Sequence, residues 1–143
     1  MNNTTLQPKS SEINIWAPKP SLTGHWQLQG VLKEYDVDVY DIDLFDNPKS
    51  TIKSLHDKRI WIICYFSAGS WEDWRPDAKE FPHFVLGNEM VDWEGEAWLD
   101  ISEYAKFAHI MEKRLDLAAE KGCDAVEPDN IDAYQNDNGF GLT

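Results

Sequence analysis

Short apolar or alternating runs are separated by polar turns along the first half of the chain. Three of them, residues 26–28, 37–45 and 60–66, have the length and side-chain alternation of β-strands. The third, IWIICYF, is apolar on both faces, which is typical of a parallel strand covered by helices. A helical pattern begins at Pro48, because proline is well tolerated at a helix start.

In the second half, a long irregular region rich in tryptophan and acids follows SAGSWEDWRPDAKEFP. A fourth strand is predicted at 97–101, followed by a helix with Ser102 as its N-cap that runs to Lys121 and stops at Gly122. A fifth strand is predicted at 123–128. Helices that alternate with strands indicate an α/β fold with a parallel sheet and right-handed crossovers.

Domain organisation follows from the same pattern. Residues 1–12 are expected to form a polar tail, and the absence of a repeat or a Gly/Ser linker predicts one domain over 13–143. A (β/α)₈ barrel needs about 250 residues, yet five predicted strands are used by residue 128 of 143. We therefore expect a TIM-type barrel truncated after about five strands.

Composition limits the function classes. A hydrophobic content of 42% with seven Trp excludes a disordered chain. No apolar run approaches the ~18 residues of a membrane span, and the amino terminus lacks the apolar region of a secretory signal. The net charge of −13 argues against nucleic acid. The acids form either a solvated surface or a field that attracts cationic ligands. The two cysteines are predicted to be buried free thiols.

Carboxylates gather at the ends of two predicted strands. In the fifth strand Glu127 and Asp129 share one face, and Asp132 follows in the next turn. In the second strand Asp41 and Asp43 share a face near its carboxyl end, unless they lie in a loop and are merely solvated. Acids at the carboxyl ends of parallel strands occupy the usual position of active-site residues, and carboxylate pairs cleave glycosidic bonds.

The third strand ends in YFSAGS. Tyr65 could offer a stacking face or a hydroxyl, and the small residues after it could let the backbone approach a ligand. A serine hydrolase is excluded, because neither Ser67 nor Ser70 has a nearby His and GxSxG is absent. The downstream pair, Glu72 and Arg75, is either an ion pair worth little or a group that orients the site.

Two further residue classes complete the candidate chemistry. Most tryptophans are expected in the core or a lid, with Trp16 the best candidate for a sugar-stacking floor. The four His show no HExxH or HxH spacing and CxxC is absent, and a calcium loop with Gly139 at its sixth position would place Tyr134 at the first, where it cannot ligate as required. Neither a metal nor another cofactor is therefore expected.

Several long motifs, taken together, resemble glycoside hydrolase family 114, the endo-α-1,4-polygalactosaminidase-like proteins. They occur in the family's order: WAPKPSLTGHWQLQG, VDVYDIDLFD, ICYFSAGSWEDWRPDA, GEAWLDI, KGCDAVEPDNIDAY and NGFGLT. The resemblance implies a TIM-type barrel that hydrolyses a galactosamine-containing polysaccharide internally, typically outside the cell. It also implies a role for the acidic charge, because deacetylated galactosamine units are ammonium ions at neutral pH.

The resemblance implies that Asp129 in EPDN is the nucleophile. Glu127 competes for this role, since it shares a face with Asp129 at a Cα offset of roughly 6.6 Å. The remaining residues expected to line the cleft are Asp41, Asp43, Tyr65, Asp132 and Trp16.

A second carboxylate, the acid/base Glu, is expected on a later strand beyond Thr143, and without it this chain would be inactive by itself. The alternatives are a non-catalytic carbohydrate-binding fragment and a substrate-assisted glycosidase that requires N-acetylated sugar. The edges of an open barrel are expected to promote self-association.

Overall fold

A computed structural model describes residues 15–142 and contains two sheets and two α-helices. The strands are β1 Gly24–Gln27, β2 Val39–Asp43, β3 Trp61–Ser67, β4 Ser70–Glu72, β5 Leu86–Glu89, β6 Glu96–Leu99 and β7 Ala125–Asp129, and the helices are α1 Lys49–Asp57 and α2 Ala108–Lys121. The predicted tail, residues 1–12, lies outside the described residues.

The main sheet is parallel, in the order β1-β2-β3-β7. Helix α1 connects β2 to β3, and a long segment ending in α2 connects β3 to β7, as the predicted strand–helix alternation requires. These four strands agree with part of a TIM-type barrel, whose closed form has eight. In the described part of the chain the sheet is open, with β1 and β7 at its edges.

The hydrophobic core lies on the helix side of the parallel sheet. Alternate residues of β2 and β3 point toward the helices, and their partners are apolar residues on α1 and α2. The buried set comprises Tyr40, Ile42, Leu44, Ile62, Cys64, Phe66, Ile52, Leu55, Ile110 and Met111. Because this face takes the apolar residues, the polar residues of the same strands are directed to the opposite face, called here the inner face.

The fourth predicted strand was assigned to the wrong sheet. Its observed counterpart, β6, is the centre of a three-stranded antiparallel sheet in the order β4-β6-β5. All four residues of β6 are buried. A strand buried on both faces has the same sequence pattern in either kind of sheet, so periodicity does not identify its neighbours. The parallel sheet therefore has four strands, and β5 of the small sheet lies within the region predicted to be irregular.

The start of the second predicted helix also differs. A 3₁₀-helix, Ile101–Lys106, precedes α2, and Glu103 has non-helical backbone angles inside it. Asp100 rather than Ser102 is the cap, because its Oδ1 accepts hydrogen bonds from the backbone N–H and the hydroxyl of Ser102. The predicted stop is confirmed: Gly122 takes the left-handed conformation with φ of 91°.

The prediction of two free thiols is wrong, because Cys64 and Cys123 form a disulfide with their Cα atoms 6.0 Å apart. Cys64 lies in the middle of β3 on the helix side. Gly122 turns the chain at the end of α2, so Cys123 reaches that side before β7 begins. No pairing was predicted because the two cysteines belong to strand regions that are far apart in the sequence. In the sheet these strands, β3 and β7, are neighbours.

The segments that follow β3 and β7 are in close contact. The N–H groups of Ala68 and Gly69 donate to the carbonyl of Asp129 at 2.9 and 3.2 Å. A Cβ added at Gly69 would lie 1.8 Å from the carbonyl oxygen of Asn130, which has φ of 60°. Glycine is therefore required at position 69 for these two strand ends to meet.

Reduction of the disulfide should destabilise the fold substantially. The crosslink joins residues 59 positions apart, and the loss of such a crosslink costs about 4 kcal/mol in the chain-entropy account. Urea unfolding with and without reductant measures this difference. A Cys64→Ala/Cys123→Ala variant serves as the control, because its midpoint should not respond to reductant; an unchanged wild-type midpoint would contradict the crosslink.

Substitution of Gly69 by alanine should destabilise the chain by about 1–3 kcal/mol, because the new methyl group must displace the backbone of Asn130. Gly24→Ala is the matched control, since a Cβ there meets its nearest atom at 3.8 Å. Urea midpoints of the two variants test this prediction. Equal midpoints would show that the strand ends are not in contact.

Candidate active site

A cleft of about 480 Å³ lies where the carboxyl ends of the parallel strands face the small sheet. Both sheets contribute side chains to it, which makes it the expected position for a site in this kind of fold. The lining residues are Trp26, Leu28, Gln29, Asp43, Asp46, Tyr65, Glu72, Trp74, Arg75, Met90, Trp93, Glu96, Asp129 and Asn130.

Asp129 is the last residue of β7, and its half-buried carboxylate faces the cleft. The Tyr65 hydroxyl, from the adjacent strand β3, donates to Asp129 Oδ2 at 3.1 Å. Burial raises the pKa of Tyr65, and the nearby Asp129 charge raises it further, so Tyr65 is a neutral donor at physiological pH. The backbone and a side-chain hydroxyl thus fix this carboxylate at the strand end.

Glu127 and Asp41 lie deeper on the inner face. Trp26 Nε1 donates to Glu127 Oε2 at 3.3 Å, which joins β1 to β7 across two strands. Asp41 Oδ1 is buried without a hydrogen-bond partner among the described residues, and the carboxyl group of Glu127 is a near neighbour. Burial, the neighbouring Glu127 and the charge of Asp129 raise the pKa of Asp41 to about 8.

Asp43 lines the cleft but its carboxylate is already engaged. Arg75 donates to both of its oxygens, at 3.0 and 2.6 Å, and the N–H groups of Phe45 and Asp46 donate to Oδ1. Arg75 also donates twice to Glu72, at 2.8 Å each. Burial alone would lower the pKa of Arg75, yet these hydrogen bonds raise it. Of the two interpretations of Glu72 and Arg75, the structure supports the one in which they orient the site.

The small residues after Tyr65 form a hydrogen-bond network rather than a gap for a ligand. The hydroxyls of Ser67 and Ser70 are hydrogen-bonded to each other, and Ser70 donates to Glu96 Oε2 at 2.9 Å. Asn130 Nδ2 donates to Ser67 Oγ at 2.9 Å. Burial raises the pKa of Glu96, which is 6% exposed. The backbone of this segment closely approaches the chain's own backbone at Asn130.

Four predicted site residues are not among those that line the cleft, namely Asp41 and Glu127 on the inner face, and Asp132 and Trp16. Asp132 is exposed beyond the end of β7. Trp16 stacks on Trp61 with ring centroids 5.1 Å apart, and Trp61 is the first residue of β3, at the opposite end of that strand from the cleft. Of the predicted site residues, Asp43, Tyr65 and Asp129 line the cleft, and Asp41 and Glu127 lie on the inner face of the same sheet.

The aromatic lining was missed. Trp26, Trp74 and Trp93 lie in the cleft and remain 64%, 53% and 56% exposed. Trp26 and His25 are adjacent in β1 and point to opposite faces of the sheet, so strand alternation could have predicted that Trp26 lies on the inner face. Trp74 and Trp93 come from the small sheet's loops, whose placement no periodicity in the sequence indicates.

In residues 15–142, no group of three or more His, Cys, Asp and Glu side chains is arranged to hold a metal ion. The helices of this part of the chain are too short or too polar to cross a membrane.

Comparisons with known proteins identify relatives of known structure. The structure of Ega3 from Aspergillus fumigatus, solved in complex with galactosamine, is 49% identical with a TM-score of 0.86, and the match covers 90% of this chain and 51% of that one. The glycoside hydrolase domain of PelA from Pseudomonas aeruginosa is 15% identical with a TM-score of 0.62, covering 81% and 46%, and supports the fold alone. No curated protein matched.

The chain spans about half the length of the solved structures it matches. Residues 5–143 match the family described as glycoside-hydrolase family GH114. The chain therefore belongs to glycoside-hydrolase family GH114.

Proposed function

We propose that this chain forms part of a glycoside hydrolase that cleaves internal bonds of a galactosamine-containing polysaccharide, with Asp129 as the nucleophile. The observation that carries the proposal is the position of Asp129: a carboxylate at the end of a parallel strand, open to the cleft and oriented by the neutral Tyr65 hydroxyl. A nucleophile needs a free oxygen and a fixed direction of attack, and this arrangement supplies both.

The proposed reaction begins with attack of Asp129 on the anomeric carbon. In a retaining mechanism a second carboxyl group, about 5–5.5 Å away, protonates the leaving oxygen. Asp43 is unsuited to that role because both its oxygens are held by Arg75. We assign the proton donor to the part of the family's length that this chain does not span. Glu127 stays the competing candidate for the nucleophile, and its engagement with Trp26 and Asp41 favours Asp129.

The charge of the cleft supports a cationic substrate. Its lining contains five carboxyl groups and one guanidinium, and that guanidinium is held by Asp43 and Glu72. The remaining acids, Asp46, Glu96 and Asp129, leave an excess of negative charge near the reacting position. A sugar with a free amine is an ammonium ion at neutral pH and would be attracted to it. The galactosamine in the related Ega3 structure agrees with this substrate class.

The three exposed tryptophans support binding of sugar rings. Trp26, Trp74 and Trp93 present apolar faces that would otherwise be wet, and stacking against the C–H faces of a sugar would bury them. Their presence on both sheets suggests that the polysaccharide lies along the cleft. These features also support the second candidate function, non-catalytic carbohydrate binding, since neither stacking nor ion pairing requires a proton donor.

Location and self-association are further proposals. The Cys64–Cys123 disulfide favours an oxidising compartment, so we propose that the protein acts outside the cell. The strands β1 and β7 have unpaired backbone groups at the edges of the described sheet, and such edges pair readily with other chains. We therefore propose that this chain associates with itself through these strands when it is isolated.

Substitution of Asp129 by asparagine should lower hydrolysis of deacetylated polygalactosamine by at least about 10³-fold, because the uncharged amide is a poor nucleophile. The measurement is the release of reducing ends by a protein that contains this chain across the family's full length. Asp116→Asn, on the exposed surface of α2, is the matched control and should retain the wild-type rate.

A wild-type rate for Asp129→Asn would overturn the assignment of the nucleophile. Binding of the polymer by the 143-residue chain without turnover would support the carbohydrate-binding function instead. Cleavage that requires N-acetylated sugar would support a substrate-assisted mechanism.

Affinity for deacetylated galactosamine oligomers should fall as salt concentration rises, because the proposed attraction is between ammonium groups and exposed carboxylates. Isothermal titration at several ionic strengths measures this dependence. N-acetylated oligomers of the same length are the control, since they carry no charge and should show little response. An equal response of both ligands would argue against charge recognition.

A further inference from the structure

Two carboxyl groups are neighbours on the inner face, below Asp129. Asp41 is the third residue of β2 and Glu127 the third residue of β7, and β3 lies between these strands. Inward side chains of alternate strands share a layer in a barrel, which explains how the two groups meet. An ionised carboxylate has no proton to donate, so a hydrogen bond between the two groups requires that one member of the pair be protonated.

The surroundings of the two groups differ in a way that locates the proton. Asp41 Oδ1 is buried and has no hydrogen-bond partner among the described residues. An ionised carboxylate with such an oxygen would leave charge without solvation or a donor. Glu127 Oε2, in contrast, already accepts a hydrogen bond from Trp26 Nε1. The proton therefore belongs on Asp41.

The neighbouring titratable groups support the same distribution. On the inner face, β7 contributes Glu127 and Asp129, and both charges disfavour ionisation of Asp41. Asp43, in β2, forms an ion pair with Arg75, so the positive charge of Arg75 is already neutralised. Tyr65 of β3 is a neutral hydroxyl, and β1 contributes Trp26, which does not titrate. Burial adds to these effects, and the pKa of Asp41 rises to about 8.

We propose that Asp41 is a positioning residue that stays protonated at neutral pH and donates a hydrogen bond to Glu127, which fixes the Glu127 carboxylate beside Asp129. Glu127 is then held by Trp26 on one side and Asp41 on the other. When Asp41 loses its proton at alkaline pH, two adjacent anions repel, and Glu127 is released from its position. The consequence for cleavage rests on the proposed function, whereas the location of the proton does not.

Carboxyl ¹³C NMR titration of this chain tests the location directly. We expect one aspartate carboxyl carbon to titrate near pH 8, to disappear in Asp41→Asn, and to shift to lower pH in Glu127→Gln, which removes the neighbouring charge. Asp116→Asn should leave this titration unchanged. Titration of Asp41 below about pH 5, near its ordinary value, would overturn the proposal. So would a pH 8 titration that persists in Asp41→Asn and is lost in Glu127→Gln, because the proton would then be on Glu127.

Stability provides a second measurement on the same chain. The folded-state pKa of Asp41 lies above its ordinary value of 3.8, so its contribution to stability is present below that value and is lost as pH rises toward about 8. Urea midpoints of the wild type should therefore fall more between pH 4 and pH 8 than those of Asp41→Asn, whose amide does not titrate. Parallel curves for the two proteins would contradict a raised pKa.

Activity of the longer protein separates a positioning role from a purely structural one. Asp41→Asn retains an N–H donor for Glu127, whereas Asp41→Ala does not, so kcat at neutral pH should be about tenfold lower in the alanine variant, with KM little different. The wild type should lose activity with a midpoint near pH 8, and Asp41→Asn should lack that decline. Equal kcat values for the two variants would overturn the positioning role. If the wild type cleaves nothing, the proposed function fails, and the NMR titration still decides where the proton resides.

Discussion

A buried ion cluster joins the two sheets, and the cleft exists because of it. Arg75 bridges Asp43, at the end of β2, and Glu72, in β4 of the small sheet. All three side chains are almost fully buried. Removal of one partner from such a cluster leaves an uncompensated buried charge, which costs about 3–5 kcal/mol. The small sheet is thereby held over the carboxyl ends of the parallel strands, with its tryptophans and Glu96 facing Asp129.

A second arginine reinforces this arrangement from the helix side. Arg114 of α2 forms a two-pronged contact with Asp77 and donates to the carbonyl of Ser67 at 2.7 Å. The ring of Phe45 lies near both guanidinium groups, 4.8 Å from that of Arg75 and 5.3 Å from that of Arg114. The end of β3 is thus fixed by contacts from the helix layer and from the small sheet, and the same contacts restrict the positions of Tyr65 and Ser67.

Alternation along strands accounts for what could be predicted of the fold and site. The two-residue period of a strand predicts that Asp41 and Asp43 share one face, and that Glu127 and Asp129 share one face of another strand. In the structure all four lie on the same side of one sheet. The end of α2 at Gly122 was predictable because glycine readily takes the left-handed conformation found at helix ends. These features depend on residues that are close along the chain.

The features that sequence analysis missed depend on contacts between distant residues. The partner of Cys64 is 59 positions away, and Arg75 meets Asp43 across 32. The neighbours of β6 could not be inferred, because complete burial hides which sheet a strand belongs to. Composition does not distinguish one tryptophan from another, and Trp16, the predicted sugar-stacking residue, is not among those in the cleft. Only the assembled sheet shows which of them face the cleft.

The disulfide also encloses the small sheet within a covalent ring, since residues 64 and 123 bracket all of β4, β5 and β6. An endoprotease that cuts once inside this ring would not separate the chain into two molecules. The nicked product would keep the mass of the intact chain plus one water until reductant is added. Such a ring would retain the wall of the cleft beside Asp129 after the first cut.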